Sequence, residues 1–225
     1  MNEIVHDLSI IFEKNKSSQK AIEMSAYMKN KFDFLGIKSS LRRELQKEAM
    51  SAISKVSLSE FISIVNELWE MPFREYQYCA CEILERYANK LPASYITQFE
   101  RLITSKSWWD SVDGIAPRSL GIFLKNYPFL IEENIKCWVE SSNIWLKRSA
   151  ILFQLKYKKF TNQTILFQII KSLSKENEFF IRKAIGWALR EYSKTNPKAV
   201  LKFVEFNDIS ILSKREALKI ILEKE

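Results

Sequence analysis

Apolar residues recur along the chain with the period of an α-helix. The run EIVHDLSIIFEKN sets Ile4, Leu8, Ile11 and Phe12 on one face at i, i+4, i+7 and i+8. The run SEFISIVNELWE repeats the pattern with Phe61, Ile64, Val65, Leu68 and Trp69. Helix starts are read at Ser17 or Ser18, Ser59, Ser94 and Asn143, whose short polar side chains can accept from N–H groups of a first turn. Pro72, Pro92, Pro117, Pro128 and Pro197 fall between the periodic runs or at their starts, where a missing N–H does least harm. The pattern predicts roughly a dozen helices, most of about 10–16 residues. No run alternates with period two for long enough to predict a strand. The expected fold class is all-α.

Many short helices joined by short turns suggest a globular bundle or a repeat array, and a register separates the two. WLKRSAILFQL (145–155) aligns on FIRKAIGWALR (180–190), placing Trp145 over Phe180 and Arg148 over Lys183 at an offset of 35 residues. One step earlier the same register places Asp113 over Arg148, and a further step reaches Tyr78. That spacing lies within the range of helical-hairpin repeats. A helical-repeat solenoid is therefore expected, as one domain over 1–225, with Tyr78, Asp113, Arg148 and Lys183 along a shared concave face. Such faces take large extended ligands, such as duplex DNA or a protein.

Composition narrows the chemistry. Four glycines are too few for a turn-rich β protein, and no G-x-G-x-x-G or Walker sequence is present. The single histidine, His6, near the N-terminus, does not support a Ser–His or Cys–His mechanism and is expected at the surface. Three cysteines, Cys79, Cys81 and Cys137, give no disulfide framework. Cys79 and Cys81 point about 200° apart on a helix, which suits packing better than metal binding, so no metal is expected. No stretch approaches the ~20 apolar residues of a membrane span, and the N-terminal run lacks the basic flank of a signal peptide. A cytoplasmic protein is expected. With 35 Lys and Arg against 27 Asp and Glu, the net charge of +8 suits nucleic acid, an acidic protein or an anionic membrane surface, and does not choose among them.

Against that basic background, SKSWWDSVDGIAP (105–117) sets a Trp pair among carboxylates. Trp109 and Asp113 are i, i+4, hence about 40° apart on one helix face. Trp108 and Val112 make the neighbouring, core-like pair. Trp109 is open to a second reading as a packing residue, and Asp113 as an N-cap or a solvated charge before Gly114.

The chain resembles the AlkD-type DNA alkylation repair glycosylases, which are built from HEAT-like repeats. The resemblance runs through YMKNKFDFLGIKSSLRREL (27–45), ELWEMPFREYQ (67–77), LITSKSWWDSVDGIAP (102–117), NIWLKRSAILFQLKY (143–157), FFIRKAIGWALREYSKTNP (179–197) and LSKREALK (212–219). It covers nearly the whole chain. One departure is visible: Ser39-Ser40 stand where the family usually has Thr-Pro. Ser39 keeps a hydroxyl for a phosphate contact, while losing proline loosens the turn into the next helix.

The resemblance implies roles. Trp109 and Trp187 would be aromatic walls around the lesion nucleotide's sugar, Asp113 the catalytic carboxylate, and Arg148 an anchor for DNA backbone. Tyr27 matches a family position near the DNA surface. Ser39, Arg42, Arg43, Lys156, Lys183 and Arg190 are candidates for phosphate contacts, each of them also readable as a solvated helix-face charge. The implied activity is hydrolysis of the N-glycosidic bond of N3- or N7-alkylated purines in duplex DNA, by a monofunctional enzyme without cofactor or metal. It would act as a monomer, associated with the nucleoid through DNA. A helical-repeat scaffold that binds DNA or protein without catalysis is the alternative; it would have no need for Trp109, Asp113 and Trp187 together. A two-metal nuclease is disfavoured, since no suitable acidic cluster is visible.

Overall fold

The structure, a computed structural model, describes residues 1–223. Among the described residues it is all-helical, of the helical-repeat kind, and the one isolated bridge joins Asp33 to Phe73. The chain divides into two compact units, Met1–Tyr87 and Ala88–Glu225.

The first unit holds α1 (Glu3–Lys14), α2 (Ser18–Tyr27), α3 (Ser39–Leu45), α4 (Lys47–Ile53), α5 (Leu58–Glu70) and α6 (Arg74–Tyr87). Asn2 caps α1 by accepting the Ile4 N–H at 2.9 Å. The face of α1 that is buried runs through Val5, Leu8 and Phe12, so Ile4 and Ile11 flank the core instead of filling it. Helix α5 buries all five residues read from its pattern, Phe61, Ile64, Val65, Leu68 and Trp69. Its cap is Ser57, whose Oγ accepts the Glu60 N–H at 3.2 Å, and not Ser59. The turn that leads into α3 is held from α6. The buried Glu75 carboxylate accepts the N–H groups of Leu35, Gly36 and Ile37 at 3.0, 2.9 and 3.0 Å. Gly36 has φ +85°, and a Cβ there would lie 2.1 Å from the Ser17 carbonyl oxygen, so only glycine fits.

The second unit holds α7 (Ile96–Thr104), α8 (Trp109–Gly114), α9 (Gly121–Asn126), α10 (Phe129–Glu140), α11 (Ile144–Leu152), α12 (Gln163–Ser172), α13 (Phe179–Ser193), α14 (Pro197–Phe206) and α15 (Ile211–Leu222). Asn143 caps α11 as expected, accepting from the Trp145 N–H at 2.9 Å. Ser94 instead sits in a short 3-10 turn before α7. Pro117 does not separate two elements. It lies inside a widened π-helical turn, Ile115–Leu120, that carries α8 directly into α9. Proline has no N–H to donate, so a helix that keeps its course past one must loosen its ladder locally.

The register of about 35 residues reappears as bonds between successive hairpins. The Tyr127 hydroxyl donates to the Leu91 carbonyl at 2.9 Å, and the Tyr157 hydroxyl to the Gly121 carbonyl at 2.6 Å, each reaching 36 residues back. Trp145 and Phe180, aligned in the sequence, pack with ring centroids 5.2 Å apart. These bonds and ring contacts stack successive hairpins of the second unit on one another, as in a repeat array.

Candidate active site

Helix α8 is short, and its first turn sets the site. Trp108 is extended (φ −157°, ψ 167°) and stands just outside the helix, its carbonyl accepting the Val112 N–H at 3.1 Å. It is therefore a cap residue and not the helix-face partner of Val112 that the spacing suggested. Its ring packs on Trp145 at 5.6 Å and on Phe180 at 5.2 Å, tying the start of α8 to α11 and α13. Trp109 begins the helix one residue later and is only partly buried. Of the two adjacent indoles, Trp108 joins the aromatic cluster with Trp145 and Phe180.

Asp113 lies in the last turn of α8, four residues after Trp109. It caps nothing and is not a solvated charge: its side chain keeps 18% of its exposure. Arg148 on α11 grips it with both arms of the guanidinium, Nε to Oδ1 at 2.8 Å and Nη2 to Oδ2 at 2.8 Å. Arg148 Nη1 also donates to the Phe180 carbonyl at 2.5 Å. Arg148, expected against DNA backbone, is thus 5% exposed, and its guanidinium is engaged on two sides within the protein. Burial pushes the Asp113 carboxyl above its ordinary range, and the bonds to Arg148 pull it back only in part. The result is an oriented carboxylate whose charge is held in a place with little water.

Helix α13 carries Lys183, Trp187 and Arg190 at i, i+4 and i+7. Trp187 is partly buried. Glu216 of α15 takes both cations: Lys183 Nζ to Oε1 and Arg190 Nη1 to Oε2, each at 3.0 Å. The helices touch closely here, since a Cβ on Gly186 would lie 2.5 Å from the Glu216 Cβ. Lys156, following α11, is exposed.

Tyr27, Ser39, Arg42 and Arg43 belong to the first unit, as does Tyr78. Tyr27 ends α2 with 70% of its surface exposed, and Ser39 opens α3, also exposed. Arg42 is not a surface charge. It is 4% exposed, donates from Nη2 to Glu82 Oε1 at 2.6 Å and lies 5.0 Å over the Tyr78 ring. Arg43 keeps 62% side-chain exposure while its Nε donates to the same oxygen at 3.0 Å.

A family model for DNA alkylation repair enzymes matches residues 11–221. The chain belongs to the DNA alkylation repair enzyme family. A solved structure described as "Predicted DNA alkylation repair enzyme from Enterococcus faecalis" is 32% identical to it, with a TM-score of 0.85. That match covers 91% of this chain and 95% of the other. No curated protein matches the chain.

Membership gives this DNA alkylation repair protein its role, and within each unit an acidic residue outside the sequence-based set holds candidate residues in place. Glu75 fixes the turn before Ser39, Glu82 holds Arg42 and Arg43, and Glu216 holds Lys183 and Arg190. Each acidic residue faces a partner tens of residues away, so only a repeat alignment that weighed charge as well as hydropathy would have found them. Among the described residues no three His, Cys, Asp or Glu side chains are grouped to hold a metal ion. Cys79 and Cys81 are buried packing residues, and Cys137 is exposed.

Proposed function

We propose that this protein is a monofunctional DNA glycosylase that hydrolyses the N-glycosidic bond of purines made cationic by alkylation at N3 or N7. The observation that carries the reading is Asp113, mostly buried, oriented by two bonds from Arg148 and set one helical turn from the partly exposed Trp109. An alkylated purine of this kind already bears a positive charge. Its glycosidic bond breaks with both electrons going to the base, which leaves neutral. No acid is needed to protonate the leaving group, so the reaction requires neither a histidine nor a second catalytic carboxylate.

Positive charge then develops on the deoxyribose. The Asp113 carboxylate stabilises it and orients a water molecule for attack on the anomeric carbon; the water's oxygen forms the new bond and its proton passes to solvent. Trp109 and Trp187 contribute indole faces that attract cationic and polarised C–H groups and keep water out. Arg148 acts through Asp113, fixing its direction and preventing it from turning toward solvent. Tyr27, Ser39, Arg43, Lys156, Lys183 and Arg190 are assigned to the duplex backbone, giving binding that weakens with salt and reads little sequence. The protein works as a monomer and requires neither cofactor nor metal.

The test is direct. Methylated duplex DNA is incubated with the protein and with its Asp113→Asn variant, and released bases are separated by chromatography. The wild type should release 3-methyladenine or 7-methylguanine, and the variant about 10²–10³-fold less. No release by wild type sinks the reading, and equal release by both removes Asp113 from the chemistry.

A further inference from the structure

On α13, at about 100° per residue, Lys183 and Arg190 lie about 20° apart, Trp187 about 40° to one side of Lys183 and Gly186 about 60° to the other. Glu216 sits over the Gly186 side, close enough that a Cβ on Gly186 would lie 2.5 Å from the Glu216 Cβ. Its two oxygens draw Lys183 Nζ and Arg190 Nη1 to 3.0 Å. The bridge therefore pulls both cationic heads toward the Gly186 side of α13, away from Trp187. Lys183 keeps 36% and Arg190 26% of their side-chain exposure, so neither is locked by burial alone. The Lys183 bond in particular holds the Glu216 carboxyl below its ordinary range, which keeps it charged at neutral pH.

We infer that Glu216 is a positioning residue that holds Lys183 and Arg190 off the indole of Trp187, leaving that face open for a cationic substrate. This rests on the glycosylase reading given above. A lysine or arginine head within about 6 Å of an indole is attracted to it as a cationic sugar would be. Lys183 lies four residues before Trp187 and Arg190 three after it, so on flexible stems both heads can reach the region of Trp187 once released. A wall meant for a transient cation must be guarded from permanent ones. Glu216 does this without removing the two charges from the region where the duplex backbone passes. It also keeps them from gripping phosphate fully, so that undamaged DNA is not held too long.

Glu216→Gln keeps the shape and removes the charge. Binding to an undamaged duplex is measured across a salt series by fluorescence anisotropy, and single-turnover base release on methylated duplex is measured alongside. The variant should bind undamaged duplex more tightly, with the slope of log K against log salt steeper by about 0.9 for each added phosphate contact. Its base release should slow by about three- to tenfold, the size of one misplaced cation–π contact. Glu216→Asp, which keeps the charge, should restore the wild-type salt slope and most of the rate. A variant that merely loosens the α13–α15 packing would bind DNA more weakly and melt earlier, and that outcome overturns the inference. So does an unchanged salt slope, or an unchanged rate on methylated duplex. If wild type releases no base, the glycosylase reading fails by itself, and the salt slope still decides whether Glu216 restrains the two cations.

Discussion

Arg148 closes on both oxygens of Asp113, 35 residues back in the chain, with two hydrogen bonds of 2.8 Å. Its remaining arm reaches the Phe180 carbonyl on α13. One guanidinium thus joins the helix that bears Trp109 and Asp113 to the helix that bears Trp187. A planar fork is needed for this, because a lysine ammonium is a point charge that cannot satisfy two carboxylate oxygens and a carbonyl in fixed directions.

Arg148→Lys should keep the charge and lose the fork. Base release is expected to fall, with urea unfolding showing a moderate loss of stability. Arg148→Ala should be worse on both counts, because it strands a carboxylate of 18% exposure without its partner. The stability cost is expected toward the lower end of about 3–5 kcal/mol, since some water still reaches the oxygens. Equal activity of Arg148→Lys and wild type would show that the bidentate geometry is dispensable.

Much of this arrangement is legible in the sequence. The five core residues of α5 follow from a helical stripe alone, because burial on one face repeats every turn. The Asp113–Arg148 and Trp145–Phe180 relationships followed from the 35-residue register, because stacked hairpins bring equivalent positions together. What stayed hidden depends on long-range partners. Arg42 and Arg148 look like surface cations in a linear pattern, and only their carboxylates, Glu82 and Asp113, draw them inside. Pro117 reads as a helix boundary, because a proline normally ends a helix; the π-helical turn that absorbs it has no hydropathy signature.

The acid limb of the rate should report Asp113. Burial raises this carboxyl above its ordinary value, and only its charged form stabilises a sugar cation. Activity is therefore expected to fall as pH drops through a midpoint above the usual aspartate range, with no basic limb from histidine. The stability linkage has the same origin. A raised folded value means that the folded protein takes up this proton at a higher pH than the unfolded chain. The site's contribution is then favourable below the unfolded value and is lost as pH rises through the folded one. Asp113→Asn should remove both the acid limb and that slope. A midpoint at or below the usual aspartate value would contradict the burial argument.

Glu82 should behave in the opposite sense. Burial works to raise its carboxyl, but Arg42, Gln46 and Arg43 outweigh it and hold the group below its ordinary range. Its contribution to stability is then present above the unfolded value and lost as pH falls through the folded one. Glu82→Gln should flatten the acid side of the stability curve and lower the urea midpoint at neutral pH, since Arg42, 4% exposed, loses its anion. Unfolding followed at pH 7 and at pH 4 separates the two effects: the variant's deficit should shrink at the lower pH.

Gly121 tests whether the π-helical turn must sit where it does. A Cβ there would lie 2.5 Å from the Phe153 carbonyl oxygen, a backbone atom that cannot swing aside. Gly121→Ala should push α9 from the end of α11 and cost about 1–3 kcal/mol. The same shift runs back through Ile115–Leu120 toward Asp113, so base release should fall by more than the lost folded fraction explains. Tyr157→Phe is the milder companion. It removes the 2.6 Å bond to the Gly121 carbonyl and should cost about 1 kcal/mol, with activity largely kept. If both variants lose stability and neither loses activity, the turn serves only the packing.

Substrate charge should decide what the enzyme releases. Selection through a cation at the sugar depends on how readily the base leaves with the bond's electrons, and an N3- or N7-alkylated purine leaves as a neutral molecule. A neutral modified base such as 1,N6-ethenoadenine would have to leave as an anion, and the proposed mechanism assigns no acid to protonate it, so the barrier should stay high. Duplexes carrying 7-methylguanine, a bulkier N7 adduct or 1,N6-ethenoadenine, compared under single-turnover conditions, should therefore divide by charge and not by size. The two cationic lesions are expected to be released at comparable rates and the neutral one at the background rate. Efficient release of the neutral lesion would mean that the protein recognises the base itself, and that the roles proposed for Asp113, Trp109 and Trp187 are not enough to describe the site.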